Sequence, residues 1–562
     1  MTDIKVLFSK TLLLSTVFII LNSCTKSSED TPIKVLILSG KNNHEWQKTT
    51  PVLVKMYKET NLFDIRVTSL PDTLKYSDLK QFDVIVSNWN MWPDSVIRFT
   101  KEWENDFSRY VENGGGVVTF HAGATSFYRW DDYHRIGIGR WGKDTKHSTA
   151  RGKITVFDQQ HPITKGISDF YITDEIWEKS DINPDAKPLA SVTATDMHDG
   201  HQINDNALFV SKFGRGRTFF IILGHDQRAV LNSGFQTLLL RATQWAAKRD
   251  VTIEPPAELA KRTGSTVSQL NWQQSDTTLT LLNNSDKVWQ FNFNNRFGRP
   301  YFHPLNAERC VITCTSPPDH PWHLGFWFCL KYINGVNYWE YLDNFKSEET
   351  GFRSAGITET SRYEIKKNLD FSADISMDLN YYPEGGKTIL TEKREIYISP
   401  VNKDGSYYID HEGEFTPVAD EVILDRTPIR TEPDGKSWGG YAGLSIRFSQ
   451  DFASPVIIAP SDSDNYRKNE WVYMGFNTLS GGRTGVCIFQ NSNFTTAKTS
   501  WYFRDEPEVP FFYYTPALLY DGKIILKKSE TLKLKYRMWV LPGETRKEEL
   551  QKRYDEYVTG VL

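Results

Sequence analysis

Three histidines follow strand-like apolar runs in the first half of the chain. His44 lies in Ser39-Gly40-Lys41-Asn42-Asn43-His44-Glu45-Trp46 after Ile33–Leu38, His121 directly follows Val117–Phe120, and His225 lies in Gly224-His225-Asp226 after Thr218–Leu223. An imidazole titrates near neutrality and serves as a general base or as a metal ligand. Side chains leaving the carboxyl ends of parallel strands meet in one crevice. One such histidine is an ordinary turn residue, but three at corresponding strand ends point to a site. His147 and the pair Asp174-Glu175 are expected to join it from intervening loops. Histidine with carboxylate suits proton abstraction beside a carbonyl, or a held divalent metal that polarises that carbonyl. His134, His161, His198 and His201 read as loop or turn residues.

The elements that must position these groups alternate strand and helix. Strands are expected at Ile33–Leu38, Phe63–Val67, Phe82–Val86, Val117–Phe120, Lys153–Phe157, Leu208–Phe213 and Thr218–Leu223. Helices are expected at Pro51–Glu59, Val96–Tyr110 and Phe235–Lys248. Gly114-Gly115-Gly116 ends a helix and turns the chain into the strand before His121, since glycine tolerates the left-handed conformation. Continuous apolar strands covered by helices imply a mainly parallel, doubly wound α/β sheet over residues 33–250. Residues 251–268, with Pro255-Pro256, read as a linker, because proline removes a helix hydrogen bond.

From 269 to 562 the apolar period becomes two, as in Thr278–Leu281, Val288–Phe293, Glu395–Ile398 and Leu532–Trp539. Many such strands imply a large antiparallel β-sandwich. Its densest stretch holds His303, Asp319, His320, His323 and Trp327. His303, His320 and His323 are expected to face one groove with Trp327, imidazoles meeting sugar hydroxyls and the ring covering C–H surface.

Residues 1–23 read as a secretory signal, with Lys5 and Lys10 near a short apolar run, Thr11–Leu21, that is too short for a stable membrane anchor. Leu21-Asn22-Ser23-Cys24 resembles a bacterial lipobox, which implies lipidation at Cys24 and a polar tether over 24–32. The expected location is therefore the cell envelope, held to the membrane by a lipid alone. The 562 residues exceed one ordinary core. A net charge of −4 with interspersed signs argues against nucleic acid. Beyond Cys24 the cysteines, Cys310, Cys314, Cys329 and Cys487, lack the paired spacing of a zinc site and are expected as buried free thiols.

The motifs Gly40–Trp46, Gly114–Ala122, His161-Pro162-Ile163 with Asp174–Trp177, and Gly214–Arg217 leading to Leu223-Gly224-His225 resemble the trehalose-utilisation ThuA family. The resemblance implies a class I glutamine amidotransferase-like fold. It also implies a part in disaccharide catabolism, on 3-keto sugars passed from a partner sugar dehydrogenase. His121 stands where the larger group has a nucleophilic cysteine, and no cysteine occurs between Cys24 and Cys310. A thioester mechanism is thereby excluded. His121, Glu175 and His225 are the expected catalytic groups. His44, Trp46 and His147 are expected to contact substrate, and His44, His121 and His225 are the candidate ligands if a divalent metal is used. No phosphate-cradling glycine motif is present, so no nucleotide cofactor is expected.

Residues from about 270 to 555, with Asp319-His320, Trp327 and Gly439–Arg447, resemble the PmoA-like family. A galactose-mutarotase-like sandwich with a sugar groove is the fold this implies. Where that family has paired histidines, this chain has Pro321-Trp322-His323. Two function classes follow: a sugar-processing enzyme, or a non-catalytic glycan-binding lipoprotein whose histidines only hydrogen-bond hydroxyls.

Overall fold

The computed structural model of the protein describes residues 31–91, 99–127, 130–261, 268–341, 354–461, 468–491, 493–494 and 500–560. The expected signal segment and Cys24 lie outside the described residues. In chain order the first domain's strands are β1 (Ile33–Gly40), β2 (Phe63–Thr68), β3 (Val84–Trp89), β4 (Gly116–Phe120), β5 (Gly139–Arg140) and β6 (Lys146–Val156). They continue with β7 (Phe170–Glu178), β8 (Asp181–Ile182), β9 (Lys187–Thr195), β10 (Gln202–Phe213) and β11 (Gly216–Ile221).

Nine of these form one sheet in the order β2-β1-β3-β4-β11-β10-β9-β6-β7. The half from β2 to β11 is parallel. Along β1, Val35 and Ile37 enter one core with Val52 and Leu53 of helix Trp46–Glu59 and Phe235 and Leu238 of helix Ser233–Ala246. Leu36 and Leu38 enter a second core on the other face, with Trp103 and Phe107 of helix Lys101–Glu112. Burial on both faces explains the unbroken apolar runs.

The other half, β10-β9-β6-β7, is antiparallel. Along β6 buried and half-buried residues alternate, as a sheet with one covered face requires. This corrects the placement of His147 and Asp174-Glu175: they lie on β6 and β7, with Thr149 opposite Glu175 and His147 opposite Trp177. The polar run Lys146–Thr149 hides the strand's period of two. Residues two apart share a face, so Glu175, Trp177 and His147 project together.

The second domain packs a nine-stranded sheet on an eight-stranded one. All pairings in both are antiparallel. Their inner faces share one core that includes Trp289, Trp501, Met538 and Leu534. Helix Lys547–Thr559 covers the outer face of the second sheet through Leu550 and Tyr557. The four cysteines beyond Cys24 are free thiols.

The two domains are in contact. Leu479 of the sandwich is buried in the first domain's core, and its carbonyl accepts from Tyr171 N on edge strand β7 at 2.9 Å. Asp451 accepts from Ser233 N and Oγ at 2.6 and 2.5 Å, placing a carboxylate at the start of helix Ser233–Ala246, where the helix dipole favours negative charge. Leu259, beyond Pro255-Pro256, is also buried in the first domain's core.

Candidate functional site

The ends of β1 and β11 deliver His44 and His225 to one cavity of about 310 Å³, β6 and β7 deliver His147, Glu175 and Trp177 to its wall, and the end of β4 brings His121, itself buried, against His44, His225 and Glu175. The turn after β4 is tight. His121 has φ of +41°, a left-handed conformation rare for a residue with a Cβ, and a Cβ on Gly123 would stand 2.1 Å from the Ser87 carbonyl oxygen. The turn therefore presses on β3 and aims the imidazole across the sheet end, the geometry of a nucleophile elbow. Asn90 Nδ2 donates to the Ala122 carbonyl at 2.6 Å and holds it there. The turn after β11 is fixed by buried Asp174, which accepts from Gly224 N at 2.6 Å and His225 N at 3.2 Å.

Hydrogen bonds fix which ring nitrogens are free. His121 Nδ1 lies 2.8 Å from the Ile222 carbonyl oxygen, which only accepts, so Nδ1 donates there and Nε2 is the nitrogen turned to the cluster. Asn42 Oδ1 accepts from His44 N at 3.0 Å and stands 2.6 Å from His44 Nδ1, which leaves His44 Nε2 as that ring's free nitrogen. Asn42 is in turn held by Asn88 at 3.3 Å, and Asn88 by Thr49 at 3.0 Å.

Glu175 is the hub. Its Oε1 lies 3.5 Å from His121 Nε2, 3.5 Å from His225 Nδ1 and 3.2 Å from Trp177 Nε1, and its Oε2 lies 3.1 Å from His147 Nδ1. His121 Nε2 and His225 Nδ1 are 3.2 Å apart. One ligand atom from each of His44, His121, His225 and Glu175 falls within 4.8 Å of all the others. Ligand atoms held 2.0–2.1 Å from a tetrahedral metal stand about 3.3–3.4 Å apart. The three separations of 3.2, 3.5 and 3.5 Å are of that size. Each of the two fixed rings also has the outer hydrogen bond that orients a ligating histidine.

The electrostatics follow from burial and crowding. Desolvation, with the neighbouring His121 and His225, pushes His44 down to about 3, so it is neutral. Burial pushes Glu175 up, but the hydrogen bonds and charges of His121 and His225 outweigh it and hold the carboxyl far below its usual range. Burial likewise opposes the His225 cation, and the hydrogen bond and charge of Glu175 overcome it, leaving His225 raised. Burial lifts Asp174 to about 6, although His121 opposes the shift. A neutral imidazole, an ionised carboxylate and partly dry walls are what metal binding or base catalysis needs.

His44, His121, His147, Glu175 and His225 are thus brought together. Trp46 does not line the cavity; it opens helix Trp46–Glu59, half-buried. Trp141 and Trp177 supply the aromatic wall instead, with Trp177 4.4 Å from the His121 ring. Trp177 sits two residues from Glu175 on a strand, so the period of two was the signal for it. Trp141, in a short irregular stretch after β5, carried none.

In the sandwich, Asp319, His320 and His323 line one cavity. His303 does not: it accompanies Lys55, Ser233 and Asp451 around a cavity between the domains, its Nδ1 3.0 Å from Thr313 Oγ1. Trp327 is buried in the core, its ring 5.2 Å from that of His323. The expected four-residue groove is therefore corrected. The register Tyr301–Trp327 and Phe302–Phe326 sets His303 one step past the pairing, and an inward-facing position on a two-sided sandwich buries Trp327.

Residues 34–246 match the family model described as trehalose utilisation, ThuA. Over that span the first domain resembles the ThuA family. Residues 278–555 match a different model, a family of unknown function designated DUF6807, and this replaces the PmoA-like reading of the sandwich. No curated protein matches the chain. Among solved structures, a ThuA-like protein from Parabacteroides merdae is 26% identical, over 41% of this chain and 95% of that one, with a TM-score of 0.35. A ThuA-like protein from Bacteroides uniformis is 21% identical over 40% and 96%, at 0.32. A glutamine amidotransferase from Thermotoga maritima is 10% identical over 36% and 80%, at 0.25.

Proposed function

We propose that the ThuA-like domain processes an oxidised, 3-keto disaccharide or glycoside, with His44, His121, His225 and Glu175 holding one divalent cation. The observation that carries this reading is the convergence of three imidazoles and one carboxylate at ligand spacing in a tryptophan-walled cavity. Such a cation polarises a sugar carbonyl and stabilises negative charge that develops beside it. The chain's own residues do the rest. Trp141 and Trp177 cover the apolar face of the sugar ring, and the buried Asp174 holds the His225 turn rigid. His147, half out in solvent with its Nδ1 3.1 Å from Glu175 Oε2, carries a proton between the substrate's α-carbon and water. The 3-keto sugar would come from a sugar dehydrogenase acting upstream. The description of the matched family as trehalose utilisation supports the substrate class.

The test pairs elemental analysis of the purified protein with turnover on a panel of 3-keto glycosides. In His121→Ala we expect the metal content to drop and turnover to fall by about two orders of magnitude or more, at an unchanged unfolding midpoint. Unchanged turnover in the folded variant would move the reading to a non-catalytic glycan-binding protein. We also propose an exported, lipid-anchored location through Cys24, on the lipobox resemblance. Cys24→Ser should move the protein from the membrane fraction to the soluble one, and identical fractionation would refute the anchor.

A further inference from the structure

A second cavity, of about 370 Å³, opens on the sandwich. Its size lies in the range of small-molecule sites. Four loops and strand ends build it: Asp319–His323, Trp339-Glu340, Trp438–Tyr441, and the facing strands that carry Arg504, Phe511 and Tyr513.

Charge comes first. Each formal charge on the lining has its own counter-charge from this chain. Asp319 Oδ2 is bound by Arg447 Nη2 at 2.9 Å, and Arg447 is fully buried with its guanidinium 3.6 Å from the Phe511 ring. Glu340 and Lys331 form a buried ion pair, with Asn337 Nδ2 also donating to Glu340. Arg504 pairs with Glu506. An anionic ligand therefore meets no uncommitted cation among the described lining residues, and a cation no uncommitted carboxylate. Displacing a buried partner would leave a charge unpaired at a cost of several kcal/mol.

The rest of the lining has two characters at once. Trp339 and Tyr441 meet edge to face at 5.0 Å, and Trp438 beside them keeps 39% of its surface exposed, an unusual position for so large an apolar ring. Facing these rings are imidazoles. His320 Nδ1 is held by Asp319 Oδ2 at 2.9 Å, so the ring orientation is set and Nε2 is left to meet a ligand. His323 stacks on His320 at 4.6 Å. It is 4% exposed, and its Nδ1 has no hydrogen-bond partner among the described residues. A purely apolar ligand would leave His320 Nε2 covered and without a partner. The lining calls for an uncharged molecule with apolar faces and hydroxylated edges.

We propose that this cavity is a second saccharide site, separate from the histidine cluster of the first domain, that takes a neutral pyranose unit against the exposed ring of Trp438, backed by the buried Trp339, with its hydroxyls toward His320 and His323. It does not depend on the chemistry proposed for the first domain.

The experiment is calorimetric titration of the intact protein with trehalose, maltose, cellobiose and lactose, and with glucuronate as an anionic probe. The same titrations are run on Trp438→Ala and, separately, on His121→Ala. We expect at least one neutral disaccharide to bind, about tenfold or more weaker in Trp438→Ala, as for loss of an aromatic anchor, and unchanged in His121→Ala. Trp438 is half out in solvent, so its variant should keep the parent's unfolding midpoint. No binding of any neutral disaccharide up to about 20 mM, equal affinity in Trp438→Ala, or preference for glucuronate would each overturn the proposal. Loss of binding only in His121→Ala would place all saccharide in the first domain and overturn it too. Turnover of His121→Ala on 3-keto glycosides is read separately, so the two readings fail independently.

Discussion

Glu175 and Glu340 are both carboxylates in tryptophan-lined cavities, one in each domain. Their partners differ. Glu340 is paired with Lys331, whose pKa burial and the nearby Arg299 lower while Glu340 raises it. Among the described residues, the ion-pair partners of Glu175 are His121, His147 and His225, whose charge depends on a proton. A lysine pair closes the account locally and leaves the cavity neutral. An imidazole set leaves a negative centre whose balance is supplied from outside, by protons or by a metal. The first arrangement suits recognition of an uncharged ligand, and the second suits chemistry.

The comparison breaks most visibly at Glu175. Replacing it by Gln keeps the shape and removes the charge around which His121 and His225 are arranged. Turnover on a 3-keto glycoside should fall by about 10²- to 10⁴-fold, the range for a positioned acid or base, with loss of bound metal by elemental analysis. A Glu175→Gln protein that keeps both metal and rate would show the carboxylate to be a bystander.

The matching change in the sandwich should act on stability instead. Lys331→Met strands Glu340 in a buried setting, and breaking one side of a buried pair costs about 3–5 kcal/mol. The sandwich's urea-unfolding midpoint should drop while first-domain turnover per folded molecule stays at the parent value. A drop in turnover with intact stability would mean the two cavities are coupled.

The contrast was half legible in the sequence. His44, His121 and His225 were readable because parallel strands buried on both faces are continuous apolar runs, and their carboxyl ends are marked by the polar residue that follows. Glu175 was visible as a candidate but not as a strand residue, because in the antiparallel extension the pattern of two is carried by half-buried polar side chains such as Thr173 and Glu175. The sandwich cavity was harder. Trp438, Tyr441, Arg504 and Phe511 lie more than a hundred residues from His320 and meet it only through the pairing of sequence-distant strands within the nine-stranded sheet, for which local pattern carries no information. His303 was misplaced for the same reason.

A smaller effect sharpens the first site. Asn42 touches His44 and not the centre of the cluster. Asn42→Ala frees the ring to rotate and removes the acceptor that fixes its tautomer, a change that typically costs 10- to 100-fold in metal affinity. Chelator competition should show this loss with the turnover of the metal-saturated protein near normal. Equal losses in affinity and saturated rate would make His44 a participant in proton transfer.

Asp451 gives the smallest effect and the clearest sign. It is a third kind of carboxylate, bound by the hydroxyl and backbone N–H of Ser233 across the domain contact. Burial pushes its pKa up to about 6, against the pull of Ser233. Because the folded value lies above the unfolded one, the folded protein holds this proton more tightly. The stabilisation is complete below about pH 3.8 and is lost as pH rises through about 6. Between about pH 5 and pH 8 that amounts to roughly 1.4 kcal/mol of stability lost by linkage. Asp451→Asn cannot titrate, so the difference in unfolding free energy between parent and variant should shift in the variant's favour by about that amount from pH 5 to pH 8. The low-pH advantage of the parent is opposite in sign to what Glu175 contributes. Its depressed pKa stabilises the fold above the ordinary carboxyl range, and that stabilisation is lost on acidification. A parent-to-variant difference that is flat with pH would mean that Asp451 is ionised in the folded protein and that its bonds to Ser233 outweigh its burial.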